Sequence, residues 1–144
     1  MNTRMKMIEI VPEAYKAMFG LEKYINSTEL SKTHRHLIKI RASQINGCAF
    51  CINMHTEDAR KEGETEKRIY ALNAWWDTNY FTDEERAMLA LTEEVTRITG
   101  RVSDETYNNA VNLLGEKYVA DAIMAIVAIN GWNRMSITTH LMPE

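Results

Sequence analysis

The sequence is poor in helix breakers. It has two prolines, Pro12 and Pro143, one near each end, and none across residues 13–142. Proline inside a helix costs about 3 kcal/mol, so its absence over such a span leaves long helices free to form. Strand-like alternation of any useful length is missing, as are internal repeats and low-complexity linkers. Long apolar runs are missing too. The most apolar stretch, from Ala122 to Ile129, is far too short to cross a bilayer and follows Asp121. No block of Lys or Arg rises above the background, and the net charge is −3, which argues against a nucleic-acid surface. The basic residues of "TRMKM" near the start lead into no apolar segment, so no signal peptide is expected. These absences predict a cytoplasmic protein with neither nucleic acid nor membrane as a partner.

Cysteine is scarce. Cys48 and Cys51 are the only two, too few for a disulfide scaffold. In a reducing compartment a close pair reads as catalytic or metal-binding rather than as a staple. Hydrophobic residues make up 45% of the chain and charged residues 26%, so a core can form without staples, and the length fits one domain over residues 1–144.

The apolar residues that are present recur with a helical period. Pro12 suits a first turn and is followed by Ala14, Met18, Leu21 and Ile25. A second helix is expected from about Ser31, with Leu37, Ile38, Ala42 and Ile45, ended by Asn46-Gly47. A third would run from Cys48 to Gly63. Thr65 would cap a short fourth helix with Ile69, Leu72 and Trp76 on one side. Thr82-Asp83-Glu84-Glu85 is a capping box ahead of a stripe of Met88, Leu91, Val95 and Ile98, closed by Gly100. Ser103 would cap a helix with Tyr107, Val111 and Leu114, ended by Gly115. The last helix, from about Glu116 to Thr139, is apolar almost all round, which suggests that other subunits cover part of it. The fold class predicted is all-α, with about six to seven helices.

The chemistry concentrates in GCAFCINMH, residues 47–55. With a helix starting at Cys48, both sulfurs lie near a helix N-terminus, where partial positive charge and free N–H groups favour a thiolate. Cys48 and Cys51 are three apart and face one side, and His55 follows one turn later. A thiolate, a base and a second thiol are the minimum set for reducing a peroxide through a sulfenic acid and a disulfide. Three other readings stay open at this level. The cysteines could be small core residues, the motif could hold a metal with three ligands, or it could be a thioredoxin-like motif. Zinc in a structural site takes four ligands and no second pair is present. The helical flanks disfavour the thioredoxin setting.

His36 lies on the preceding helix, where packing could bring it to the thiols. His34 has no evident partner and reads as solvent-facing, and His140 falls in a fraying C-terminus. Trp75, Trp76 and Trp132 read as core or interface aromatics. The charged run from Glu57 to Arg68 reads as a solvated helix surface.

The segment HLIKIRASQINGCAFCINMHTEDARKEG resembles the signature of the AhpD-like alkylhydroperoxidases, within the carboxymuconolactone decarboxylase family. The segments from Arg68 to Ile98 and AIVAINGWNRMSI near the end are similar to the family as well, so the resemblance covers nearly the whole chain. It implies an AhpD-like all-α fold assembled as homotrimers or homohexamers. It also implies peroxide reduction by the cysteine pair, with no bound cofactor and an external dithiol or lipoyl-type reductant. Carried over by position, Cys51 would attack the peroxide, Cys48 would resolve, and His55 would belong to a proton relay. The relay usually includes a glutamate twelve residues before the first cysteine, where this chain has His36, and Phe50 stands where some members have a histidine. The resemblance with these departures implies weak or pH-shifted peroxidase activity, with His36 taking the relay position. Two alternatives accompany it: a carboxymuconolactone decarboxylase-like enzyme, and a non-catalytic oligomer whose cysteine pair senses redox state.

Overall fold

A computed structural model describes residues 2–143 and is helical throughout, with no strand among the described residues. In chain order the helices are α1 (Met7–Ile10), α2 (Pro12–Ser27), α3 (Lys32–Asn46), α4 (Ala49–Lys61), α5 (Glu66–Ala71), α6 (Asp83–Thr96), α7 (Asp104–Leu114) and α8 (Glu116–Thr139). Two 3₁₀ turns, Leu72–Asp77 and Ile98–Gly100, follow α5 and α6. None of these helices is long and apolar enough to cross a membrane.

Polar caps define the starts. The hydroxyls of Ser31, Thr65, Thr82 and Ser103 each accept the N–H of the residue three positions on. Glu85 also reaches back to the Thr82 N–H, completing the box read from the sequence.

The centre of the fold is α3. Its Ile38 and Ala42 belong to a core shared with α2, α6, α7 and α8, around Ile25, Met88, Leu91, Ile126 and Ile129. Its Leu37 and Ile40 belong to a second core with Ala59, Leu72, Trp75, Phe81 and Leu89. Between the two, buried Arg41 donates through Nε to Glu93 at 2.8 Å, and the Trp75 indole N–H donates to the same oxygen at 2.9 Å. A buried charge pair is tolerable only with such added hydrogen bonds.

The structure corrects several local readings. The expected fourth helix ends at Ala71, and a kink at Ala74 (φ −133°) rotates the residues beyond it. Trp75 is therefore the buried indole, while Trp76 is exposed. The helix of the Met88 stripe ends at Thr96, so Ile98 is exposed in a 3₁₀ turn rather than in the stripe. His34 is half-buried, not solvent-facing: its Nδ1 lies 2.7 Å from the Tyr118 hydroxyl. The charged run is only partly a solvated surface, because Arg68 packs between Glu64 and Glu85 at 2.8 and 2.6 Å. His140 does not lie in a frayed end. The Arg4 N–H donates to the Thr139 carbonyl and the Thr3 hydroxyl to that of His140. α8 buries ten side chains but leaves Met124, Val127 and Ile137 exposed.

Gly47 closes α3 in the left-handed region, at φ 71°, with open space where a Cβ would stand. Only the backbone conformation penalises a side chain there. Gly47→Ala is therefore expected to cost about 1 kcal/mol in urea unfolding without altering the fold.

Candidate functional site

The left-handed turn at Gly47 lets one helix stop and the next begin within two residues. Cys48 is the N-cap of α4, in extended conformation, rather than its first helical residue. Its Sγ accepts the Cys51 N–H at 3.3 Å, in the way a serine cap would, and its own N–H donates to the Ser43 carbonyl at 3.0 Å. Cys48 and Cys51 are joined in a disulfide across a Cα separation of 5.3 Å. Both are buried.

A polar network backs the disulfide. Asn46 Nδ2 donates to the side-chain oxygens of Asn130 and Asn133 at 3.0 and 2.9 Å. Asn133 Nδ2 donates to the Ser43 hydroxyl, and Asn130 Nδ2 to that of Thr96. The end of α3 is thereby tied to α8, and α8 to the end of α6.

In front of the disulfide lies a cavity of about 360 Å³. Cys51 and His55 line it, together with Phe50 and Met54 of α4; Cys48 is not among the lining residues. Tyr15 and Phe19 of α2 and Trp132 of α8 form an aromatic wall, with ring centroids 5.5 to 6.1 Å apart. Leu141 closes one side. Two charged groups also reach the cavity, Lys39 from α3 and Glu22 from α2, 3.4 Å apart and both mostly buried. Glu22 accepts the Trp132 indole N–H at 3.1 Å as well.

The structure thus brings together Cys48, Cys51 and His55. His36 lies on the same face of α3 one turn before Lys39, but lines an adjacent cleft with Arg35, Asp58 and Glu62. Its Nε2 is 2.8 Å from a Glu62 oxygen, and its buried Nδ1 has no partner. That hydrogen bond holds the Glu62 carboxyl below its usual pKa.

Lys39, Glu22 and the cavity-lining role of Phe50 and Trp132 were not singled out from the sequence. The His36–Lys39 spacing of three is a local signal for Lys39. Glu22 and Trp132 carry none, because packing of α2 against α8 brings them in. A wider cleft of about 760 Å³ along another side of α4, past Ile52, Arg60 and Tyr70, holds neither cysteine nor histidine. No cluster of three metal-ligating side chains occurs among the described residues.

Burial, followed by the charges of Lys39 and His36, lowers the His55 pKa from 6.5 to about 3. The folded ring stays neutral while the unfolded one takes up a proton below about pH 6.5. Stability from this group is thus full above that pH and declines on acidification, by about 2 kcal/mol at pH 5. His34, also lowered by burial, acts with the same sign. Urea unfolding at pH 7 and pH 5 should show a stability loss smaller by about 2 kcal/mol in His55→Leu than in wild type.

Residues 12–94 match the model of the carboxymuconolactone decarboxylase family. The uncharacterized protein YdfG of Bacillus subtilis is 49% identical over 138 residues, covering 95% of this chain and 94% of the relative. The crystal structure of ATU0492 from Agrobacterium tumefaciens, a protein of unknown function provisionally assigned to the antioxidant defence protein AhpD, superposes with a TM-score of 0.96. The two are 35% identical, and 99% of each chain is covered. The debrominase Bmp8 shares the fold alone, with a TM-score of 0.82 at 21% identity over 95% of this chain and 74% of its own. With its all-α AhpD-like fold and its family match over more than half its length, the chain belongs to the carboxymuconolactone decarboxylase family.

Proposed function

We propose that this chain is a thiol peroxidase acting on organic hydroperoxides. The observation that carries the reading is the disulfide between Cys48 and Cys51 at the floor of an apolar cavity into which Cys51 opens. In the reduced protein the Cys51 thiolate attacks the outer peroxide oxygen, forming an S–O bond as the O–O bond breaks. The products are a sulfenic acid on Cys51 and an alkoxide. The alkoxide takes up the proton that the thiol gave up. The Cys48 thiol then attacks the sulfenic sulfur, forming the disulfide and releasing water. An external dithiol, of the lipoyl type, reduces the disulfide and is itself oxidised.

His55 acts as a neutral imidazole, accepting the thiol proton on one nitrogen while its other N–H is passed toward the leaving oxygen. His36, hydrogen-bonded to Glu62 in the neighbouring cleft, is the outer member of this proton path. The aromatic wall favours a substrate with an apolar group. Burying such a group is worth about 1.5–3 kcal/mol, a factor of ten or more.

The test is peroxide consumption with a dithiol donor. Cys51→Ser should be inactive. Cys48→Ser should turn over much more slowly than wild type and accumulate the Cys51 sulfenic acid. Cumene hydroperoxide should exceed hydrogen peroxide in kcat/KM by roughly tenfold. Wild-type rates in both serine variants would sink the reading.

The exposed apolar side chains Ile10, Phe19 and Val127 support self-association. Light scattering is expected to give a trimer or hexamer; a monomer at micromolar concentration would contradict it.

A further inference from the structure

We infer that the Lys39 ammonium, held in place by Glu22, is the group that keeps Cys51 in its reactive thiolate form once the disulfide is reduced. The inference deepens the peroxidase reading, and rests on it only in taking Cys51 as the working thiol.

The polar groups that line the cavity with Cys51 come from four helices. His55 lies on its own helix, Lys39 comes from α3, and Glu22 and Tyr15 come from α2; α8 contributes Trp132 and Ser136 but no charge. His36 stands one turn away on α3, behind Lys39 and turned to Glu62. A buried thiol resists ionisation unless a positive charge is near. Two side chains in the cavity could supply that charge, His55 and Lys39. His55 is the weaker candidate: burial and the Lys39 charge push its pKa down to about 3 around the disulfide, so the ring is neutral there at pH 7. Lys39 is the other, and its positive charge is already felt at the His55 ring.

Lys39 is also constrained. Its side chain is mostly buried, and its Nζ lies 3.4 Å from Glu22. Glu22 is itself anchored by the Trp132 indole N–H at 3.1 Å. Lys39 is near enough to His55 to be, after burial, the largest cause of that ring's lowered proton affinity. The same charge that disfavours an imidazolium favours a thiolate one helical turn away. Glu22 acts in two senses: it positions the ammonium and partly offsets its charge. Both are therefore positioning residues, acting through Cys51 rather than on substrate.

The experiment reads the Cys51 pKa in reduced Cys48→Ser protein, from the pH dependence of alkylation by iodoacetamide. Lys39→Met is expected to raise that pKa by roughly one unit or more, as loss of an opposite charge from the same buried cavity does. Lys39→Arg, which keeps the charge, should restore it. Glu22→Gln keeps an acceptor for Lys39 and Trp132 and removes the negative charge, so the pKa should move down. Shifts of opposite sign from the two partners are not what simple loosening of the fold would give. An unchanged pKa in Lys39→Met, or no rescue by Lys39→Arg, overturns the inference. Should Lys39→Met not fold, an unchanged pKa in Glu22→Gln overturns it. No peroxide enters this assay, so its outcome is independent of whether the protein turns over hydroperoxides.

Discussion

The carboxamide of Asn46, donating to both Asn130 and Asn133, is the joint on which the site depends. Asn46 is the last residue of α3, and the next two residues are the left-handed Gly47 and the capping Cys48. Any slippage of α3 along α8 would carry the disulfide with it. The joint is closed on itself: Asn133 donates to Ser43, whose carbonyl holds the Cys48 N–H. Each member of such a buried polar set must find a partner, since leaving one unmet costs about 1–3 kcal/mol. The set therefore works less as adhesive than as a register mark, accepting one alignment of α3 against α8 and penalising its neighbours. The two apolar cores either side of α3 supply the attraction, and the amides decide where it stops.

From that alignment the electrostatics of the cavity follow. An apolar cleft with an aromatic wall is a poor place for an isolated charge. The fold places two opposite charges there, Lys39 and Glu22, and gives Glu22 a further donor in Trp132. His55 shares the same low-polarity setting and responds by staying neutral. The division is consistent: the residue able to discharge does so, and the charges that remain are paired. His36 stands outside this cavity, with Glu62 meeting its Nε2 at a more open site.

Much of this was legible in the sequence, for reasons that differ by residue. Caps such as Ser31, Thr82 and Ser103 are local devices whose geometry depends on the next three residues alone. Gly47 was readable because a left-handed helix end favours glycine. Cys48, Cys51 and His55 share a face by helical spacing, whatever packs around them. Trp76 was misread into the apolar stripe because a kink at Ala74 breaks the helical period. Ile98 was misplaced because the helix stopped two residues early. Glu22 was invisible for a different reason. Its partners Lys39 and Trp132 lie 17 and 110 residues away in sequence, and no local pattern encodes such a meeting.

That distance also governs how the cavity is completed. Its floor, Cys51 and His55, forms with α4, a local element that needs only its own hydrogen bonds and a cap. Its wall needs α2 to lie across α8, so that Tyr15 packs edge-on and Phe19 tilted against Trp132. Its edge needs Leu141, just beyond α8, which is held by its own N–H to the Ser136 carbonyl. The turn before it is pinned by Arg4 from the start of the chain. The thiol pair is thus set by short-range geometry, while what it meets is set by contacts between the ends of the chain. Substitutions at the α2–α8 seam should then alter which molecules reach Cys51 while leaving the disulfide geometry to α3 and α4. Disulfide geometry and selectivity are thus carried by separable parts of one small fold, and the Lys39–Glu22–Trp132 contacts tie the seam to the reactivity of Cys51.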